Sequence, residues 1–309
     1  MLAPSVERAV GPAHDFGIAA RDRYPSYVEF LAERTGIRVP LNRRGILQVA
    51  LDSKGIKGLQ KTAPPTARWL DAKELRELEP ALAHAVGAMF NPEDGAVDNT
   101  VLLSALLKLV SASTRVVTVN DAVIEVEPRG SSTTVRTRLG VTYSAHHIVL
   151  AAGAWVGRIS GARLGGAVKP SRGQLVSYST SPLRHVAYGP RGYVVPRGDS
   201  TIGGTTMEDV GFDASTTSEG VAKVRSAAEE ICPSLSRSNE TRSWAGLRPV
   251  TPDMLPILGP DPEHPSIIYA CGHSRNGVLM APLTGDLIAD LVTATPLSRD
   301  LGQFRPGRF

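Results

Sequence analysis

The residues best placed to do chemistry lie at one junction, "YACGHSRNGVLMAP", from Tyr269 to Pro282. An apolar strand, Ile267 to Cys271, runs into a polar turn bracketed by Gly272 and Gly277, and a helix begins near Asn276 to Gly277. The first amides of a helix lack intrahelical acceptors and the helix dipole adds partial positive charge there, so such a start stabilises a negative group. The two glycines let backbone approach a flat ligand closely. The same pattern also makes an ordinary tight strand-to-helix turn, and taken alone it does not choose between the two. His273 sits within the turn, where its simplest role is to order the loop by hydrogen bonding. Cys232 and Cys271 are far apart and lack metal-ligand spacing, so neither a metal site nor a disulfide framework is expected.

The elements that must hold this junction alternate between helices and strands. "AHDFGIAARDRYPSYVEFLAERTGI" is apolar at helical spacing on both sides of Pro25, which should split it into two helices. The strand "GILQVALD" follows, closed by "DSKGIKG". Asp71 and Glu74 form a capping-box pattern, and Pro80 ends that short helix. Asp98 should cap a longer helix with Val101, Leu102, Ala105, Leu106 and Leu109 on one face. From Thr114 the chain reads as a β-meander ending in "HIVLAAGAW", whose small residues Ala151, Ala152 and Gly153 fit a backbone passing close to something. Alternating strands continue through a hairpin turning at "RGDS". A second capping box, "TTSE" from Thr216, then leads a helix with Val221, Val224, Ala228 and Ile231 on one face, ended by Pro233. The arrangement predicts an α/β or α+β fold without internal repeats.

Composition sets the outer bounds. The 309 residues are 42% hydrophobic and 21% charged, ordinary globular material. Lysine plus arginine number 34 against 30 acidic residues, and the basic residues are scattered, which favours a small anionic ligand over nucleic acid. No apolar run approaches the ~18 residues of a membrane span. "MLAPSVERAV" has no signal-peptide pattern, so a cytoplasmic protein without membrane association is expected. Oligomeric state is not readable, and a homo-oligomer is left open.

Four stretches in order, "HIVLAAGAW", "RGYVVPRGDSTIGGTTMEDVGFD", "SWAGLRPVTPDMLPILGP" and "GHSRNGVLMAP", give the chain a resemblance to the D-amino-acid oxidase family of flavoproteins. Within it, the likeness is greatest to the glycine oxidases of bacterial thiamine biosynthesis. The resemblance covers almost the whole chain, to the terminal "FRPGRF". It implies a Rossmann-like FAD-binding domain of residues 1–36, 96–165 and 244–309, and an antiparallel-sheet substrate domain of residues 37–95 and 166–243. Members of the family open with a strand, a GxGxxG turn and a helix that cradle the FAD pyrophosphate. This chain contains no GxGxxG, and its "MLAP" resembles the family sequence just downstream of that unit. The expectation is therefore an FAD domain lacking its first βαβ unit, through an internally assigned start or fragmentation, with a degenerate relative as the other reading.

The implied reaction removes hydride from the α-carbon of a small amino acid, passes it to noncovalently bound FAD, and uses dioxygen to reoxidise the flavin with release of hydrogen peroxide. Arg248 in "GLRP" matches the carboxylate-binding position, where arginine's planar fork is suited, and Arg275 matches a second arginine of the site. Tyr193 matches the tyrosine lying over the substrate, and Met207 an apolar wall. Val123, Ala152, Gly153 and Trp155 resemble positions against the FAD, and Arg275, Asn276, Gly277, Val278 and Leu279 match the backbone facing the flavin. Each has a structural alternative: a surface ion pair for Arg248, packing for Tyr193, core filling for Met207. No residue is clearly placed as a general base. Two other readings compete with it, a D-amino-acid dehydrogenase or sarcosine-oxidase-like enzyme, and a flavin-free scaffold.

Overall fold

The computed structural model describes residues 1–7, 11–130 and 132–309. They form a mixed α/β protein of two compact units. The first comprises Met1–Leu106, Arg172–Glu208 and Asp213–Gly246; the second comprises Leu107–Ser171, Asp209–Phe212 and Leu247–Phe309. Among the described residues no helix is long and apolar enough to cross a membrane.

The first unit is built on an eight-stranded sheet whose strands run, in spatial order, Glu240–Val250, Lys169–Tyr178, Ser200–Gly204, Tyr193–Arg197, Val186–Tyr188, Ile46–Ala50, Gly87–Asn91 and Arg68–Asp71. Val186–Tyr188 pairs parallel to Ile46–Ala50, while Ile46–Ala50 pairs antiparallel to Gly87–Asn91. Period-two alternation sends Leu47, Val49 and Val194 into a core with Val224, Ala228 and Ile231 of the helix Ser218–Ile231. It sends Ile46, Tyr193 and Val195 to the other face, against Ala3 and Val6 of the amino-terminal segment.

Local signals explain the boundaries. The helices Pro12–Asp22 and Tyr24–Thr35 are separate, with Pro25 in the first turn of the second, where its missing amide costs nothing. Asp71 and Glu74 make both halves of the capping box. Asp98 accepts from the amides of Thr100 and Val101 at the head of the helix Asn99–Ser111. The expected box at Thr216 is displaced by one residue: Thr217 accepts from Gly220, and Glu219 pairs with Lys223 one turn on. "DSKGIKG", read as a closing turn, instead begins the helix Ser53–Lys61, capped by Asp52 and burying none of its residues.

The second unit holds two small sheets. Ile257–Pro260, Ile267–Cys271 and Ile148–Leu150 form one, the last two strands parallel. Val123–Arg129, Ser132–Thr137 and Thr142–Ala145 form the antiparallel meander; residues 114–121, expected to add a strand to it, form none. A core of Val126, Leu150, Val156, Ile257, Ile267 and Tyr269 joins the two sheets.

By contacts, residues 1–36 and 96–106 group with the unit of the eight-stranded sheet, whereas the resemblance assigned them to the FAD domain. The physical reason is local. Leu2 and Gly95 exchange two backbone hydrogen bonds, 2.8 and 2.9 Å, and buried Arg21 pairs with buried Asp94 at 3.1 Å.

Candidate active site

The junction forms as its sequence predicts. The strand Ile267–Cys271 is almost entirely buried, the helix spans Gly277–Val292, and Asn276 at its cap makes no side-chain capping bond. Gly272 has φ 75°, and a Cβ there would stand 2.7 Å from Cγ2 of Thr251, so only glycine fits this bend. Ser274 also takes a positive φ, 51°. Its amide donates to the carbonyl of Pro249 at 2.9 Å, and Asn276 donates to His273 at 2.9 Å.

The Ser274 to Pro249 bond brings two predicted residues to one place. Half-buried Arg248 immediately precedes Pro249 on the strand Glu240–Val250, and exposed Arg275 immediately follows Ser274. Ser274 is 5% exposed, yet its Oγ has no hydrogen-bond partner among the described residues. A buried hydroxyl without a partner costs about 1–3 kcal/mol unless a bound group satisfies it. With the uncapped helix start, it makes this turn a fitting cradle for the polar edge of a flavin ring.

His273 does not titrate in this setting. Its Nε2 lies 3.1 Å from Thr284 Oγ1, and desolvation pushes its pKa down to about 4, so the imidazole is neutral at neutral pH. Burial pushes the Cys271 thiol up to about 12, which makes it a core group.

The other positions predicted to meet the cofactor divide. Val123 and Ala152 pack against the same core that includes Tyr269 and Cys271. Gly153 has φ 54° and opens a short 3-10 helix, Gly153–Arg158. Leu279 is buried and Val278 half-buried, so what they can offer a ligand is backbone. Trp155 is half exposed, with its ring 6.2 Å from that of Phe212, over which the Arg158 guanidinium lies at 3.6 Å. Phe212 and Arg158 were not singled out in the sequence.

Tyr193 and Met207 belong to the first unit. Tyr193 packs over Gly204, where a Cβ would come within 2.6 Å of its hydroxyl. Its cross-strand partner is Tyr188, with ring centroids 5.5 Å apart, and Tyr188 donates to Glu7 at 3.0 Å. The sequence reading missed Tyr188 and Glu7. The repeat "YGPRGY" was the available signal for Tyr188, since a tight hairpin places its two tyrosines opposite each other.

Met207 is 54% exposed and therefore not core filler. Both neighbours are fixed: Thr206 Oγ1 accepts from the Gln174 amide at 3.0 Å, and Glu208 exchanges two backbone bonds with Arg172. The buried Arg172 guanidinium also reaches Glu208 at 2.5 Å and Asp213 at 2.7 Å; hydrogen bonds from Thr206 to Glu208 and from Ser215 to Asp213, with Arg172 beside both, hold the two carboxyls below the usual range.

Residues 2–291 match the family described as DAO, FAD dependent oxidoreductase. The chain is 32% identical to a glycine oxidase of Geobacillus kaustophilus (strain HTA426), over 95% of this chain and 81% of that protein. It is 34% identical to the bifunctional protein ThiO/ThiG of Synechocystis sp., over 100% of this chain and 47% of that protein; it thus spans about half the length of that relative. The crystal structure of glycine oxidase from Geobacillus kaustophilus matches with a TM-score of 0.91 at 31% identity, over 100% of this chain and 86% of that one.

Proposed function

Since this chain belongs to the DAO family of FAD-dependent oxidoreductases, we propose that it oxidises glycine or another small amino acid to the imine, in the supply of thiazole for thiamine biosynthesis. The observation that carries the reading is the turn Gly272–Asn276. It leads into an uncapped helix start and is tied through the Ser274 to Pro249 bond to the strand that bears Arg248. Bound FAD would supply the hydride acceptor, regenerated by dioxygen with release of hydrogen peroxide.

The chain's own residues orient and polarise. The Gly277 amide and the positive end of the helix dipole would face the cofactor's polar edge and favour negative charge there, with the backbone of Val278 and Leu279 beside it, and Ser274 Oγ would donate to the same edge. Ala152, Gly153, Trp155 and the backbone of Val123 would line its remaining length. Arg248 would hold the substrate carboxylate in a bidentate fork, with Arg275 adding charge at the same end. Tyr193 and Met207, the other two positions that the family resemblance assigns to the substrate, lie on the first unit. With its pKa pushed down to about 4, His273 binds a proton too weakly to serve as the base at neutral pH, and hydride removal from the neutral form of the amine needs none.

The test is peroxide release by the FAD-loaded protein from glycine, sarcosine and D-alanine, beside reduction of an artificial electron acceptor. Oxygen-dependent peroxide with glycine among the best substrates supports the proposal. Turnover with the artificial acceptor alone would make the protein a dehydrogenase.

A further inference from the structure

The first unit contains an open cleft of about 910 Å3, separate from every residue assigned above to flavin or amino acid. Arg43, Arg44, Arg184 and Arg197 line it, with Asp98 as the one carboxylate among its lining residues. Val97, Leu183 and Val195, all buried, supply an apolar floor. The volume lies in the range of small-molecule sites, ~300–1,000 Å3.

Asp98 offsets only the charge of Arg197. Its Oδ1 accepts from the amides of Thr100 and Val101 at 2.9 and 3.1 Å, and its Oδ2 lies 3.4 Å from Arg197 Nε. Arg197 is held further by Asn99 Oδ1 at 2.6 Å, and Arg184 donates to the Leu78 carbonyl. Arg43 and Arg44 are exposed and form no ion pair among the described residues. The frame around them is fixed by Asn42: its Nδ2 donates to the Arg184 carbonyl at 3.1 Å and its Oδ1 accepts from the Arg44 amide at 3.0 Å. One side chain thereby ties together two arginine-bearing segments 142 residues apart.

We propose that this cleft binds a small dianion with an apolar body, of the phosphomonoester class. Four guanidiniums against one committed carboxylate call for more than one negative charge, and tetrahedral oxygens accept from several forks at once. The floor calls for an apolar portion that a bare ion lacks. The inference does not depend on the oxidase reading.

The test is titration calorimetry of phenyl phosphate into the full chain at low ionic strength, with saturating FAD so that the dinucleotide's own site is filled. The expected result is saturable binding of one phenyl phosphate per chain, weakened about tenfold or more in R43A/R44A, a loss of ~1.4 kcal/mol or more. Binding should also weaken as salt rises. Inorganic phosphate should bind more weakly than phenyl phosphate, and R68A, an exposed arginine on the Arg68–Asp71 strand, should change nothing. R43K/R44K, which keeps the charge but loses the forks, should fall between; it also stands in should the alanine pair fail to melt like the wild type. No saturable binding, or equal affinity in wild type and R43A/R44A, overturns the proposal. Equal affinity for inorganic and phenyl phosphate removes the apolar half of it.

Discussion

At the scale of single residues, Arg248 and His273 give the sharpest expectations. Arg248 to Lys keeps the charge and loses the planar fork, so KM for glycine should rise about 10–100-fold, equivalent to ~1.4–3 kcal/mol, while kcat changes less. An unchanged KM would remove Arg248 from carboxylate binding. For His273, the folded ring resists a proton down to about 4 whereas an unfolded histidine takes one near 6.5. The unfolded chain therefore binds more protons between those values, and stability falls as pH drops through that window. Between neutral pH and pH about 5, the wild type should lose ~1–2 kcal/mol more than His273→Gln in denaturant unfolding. Parallel losses would show that the ring is not desolvated. Arg248, Tyr193 and Met207 could be named as candidates from the sequence because short motifs frame each of them. Glu7 was not, because its partner Tyr188 lies 181 residues away and only the folded sheet brings them together.

At the scale of elements, what was legible depended on whether the signal was local. The caps at Asp71 and Asp98 were readable from one acceptor side chain and its spacing to the helix start. The helix Ser53–Lys61 escaped because it buries no residue and so carries no core periodicity, and its two glycines read as a turn. Residues 114–121 looked like a strand by alternation, but β-structure also needs a partner, and the folded meander begins only at Val123. The decisive element is the bend at Gly272. Gly272→Ala would force a Cβ to within 2.7 Å of Thr251 at a φ that side chains rarely adopt, and should cost ~1–3 kcal/mol and weaken FAD binding. Gly285→Ala, on the exposed side of the following helix with nothing within 4 Å, should instead stabilise by ~0.5–1 kcal/mol. The comparison is a pair of thermal melts with flavin titrations. Equal effects of the two substitutions would mean that the bend does not hold the cofactor cradle.

At the scale of the whole molecule, the match over residues 2–291 makes the fold that of an FAD-dependent oxidoreductase, as the four ordered motifs implied. The amino-terminal helices group with the unit of the eight-stranded sheet because Leu2, Ala3, Val6 and Arg21 find their partners there, contacts that no motif announces. The helix Asn99–Ser111 leaves Leu103 and Leu107 exposed, 56% and 60%, one turn apart. L103Q/L107Q should therefore lower self-association in light scattering while leaving the melting temperature nearly unchanged, since neither side chain is packed. A large loss of stability in that variant would show the two leucines to be core. In the proposed site, FAD is held at the Gly272–Asn276 turn and receives electrons from a small amino acid. The most direct measurement is the visible spectrum of the FAD-loaded protein on anaerobic addition of glycine. Bleaching of the flavin band, with recovery and hydrogen peroxide on admission of air, is the predicted result; bound flavin unchanged by glycine, sarcosine or D-alanine, or a chain that takes up no FAD, would contradict it.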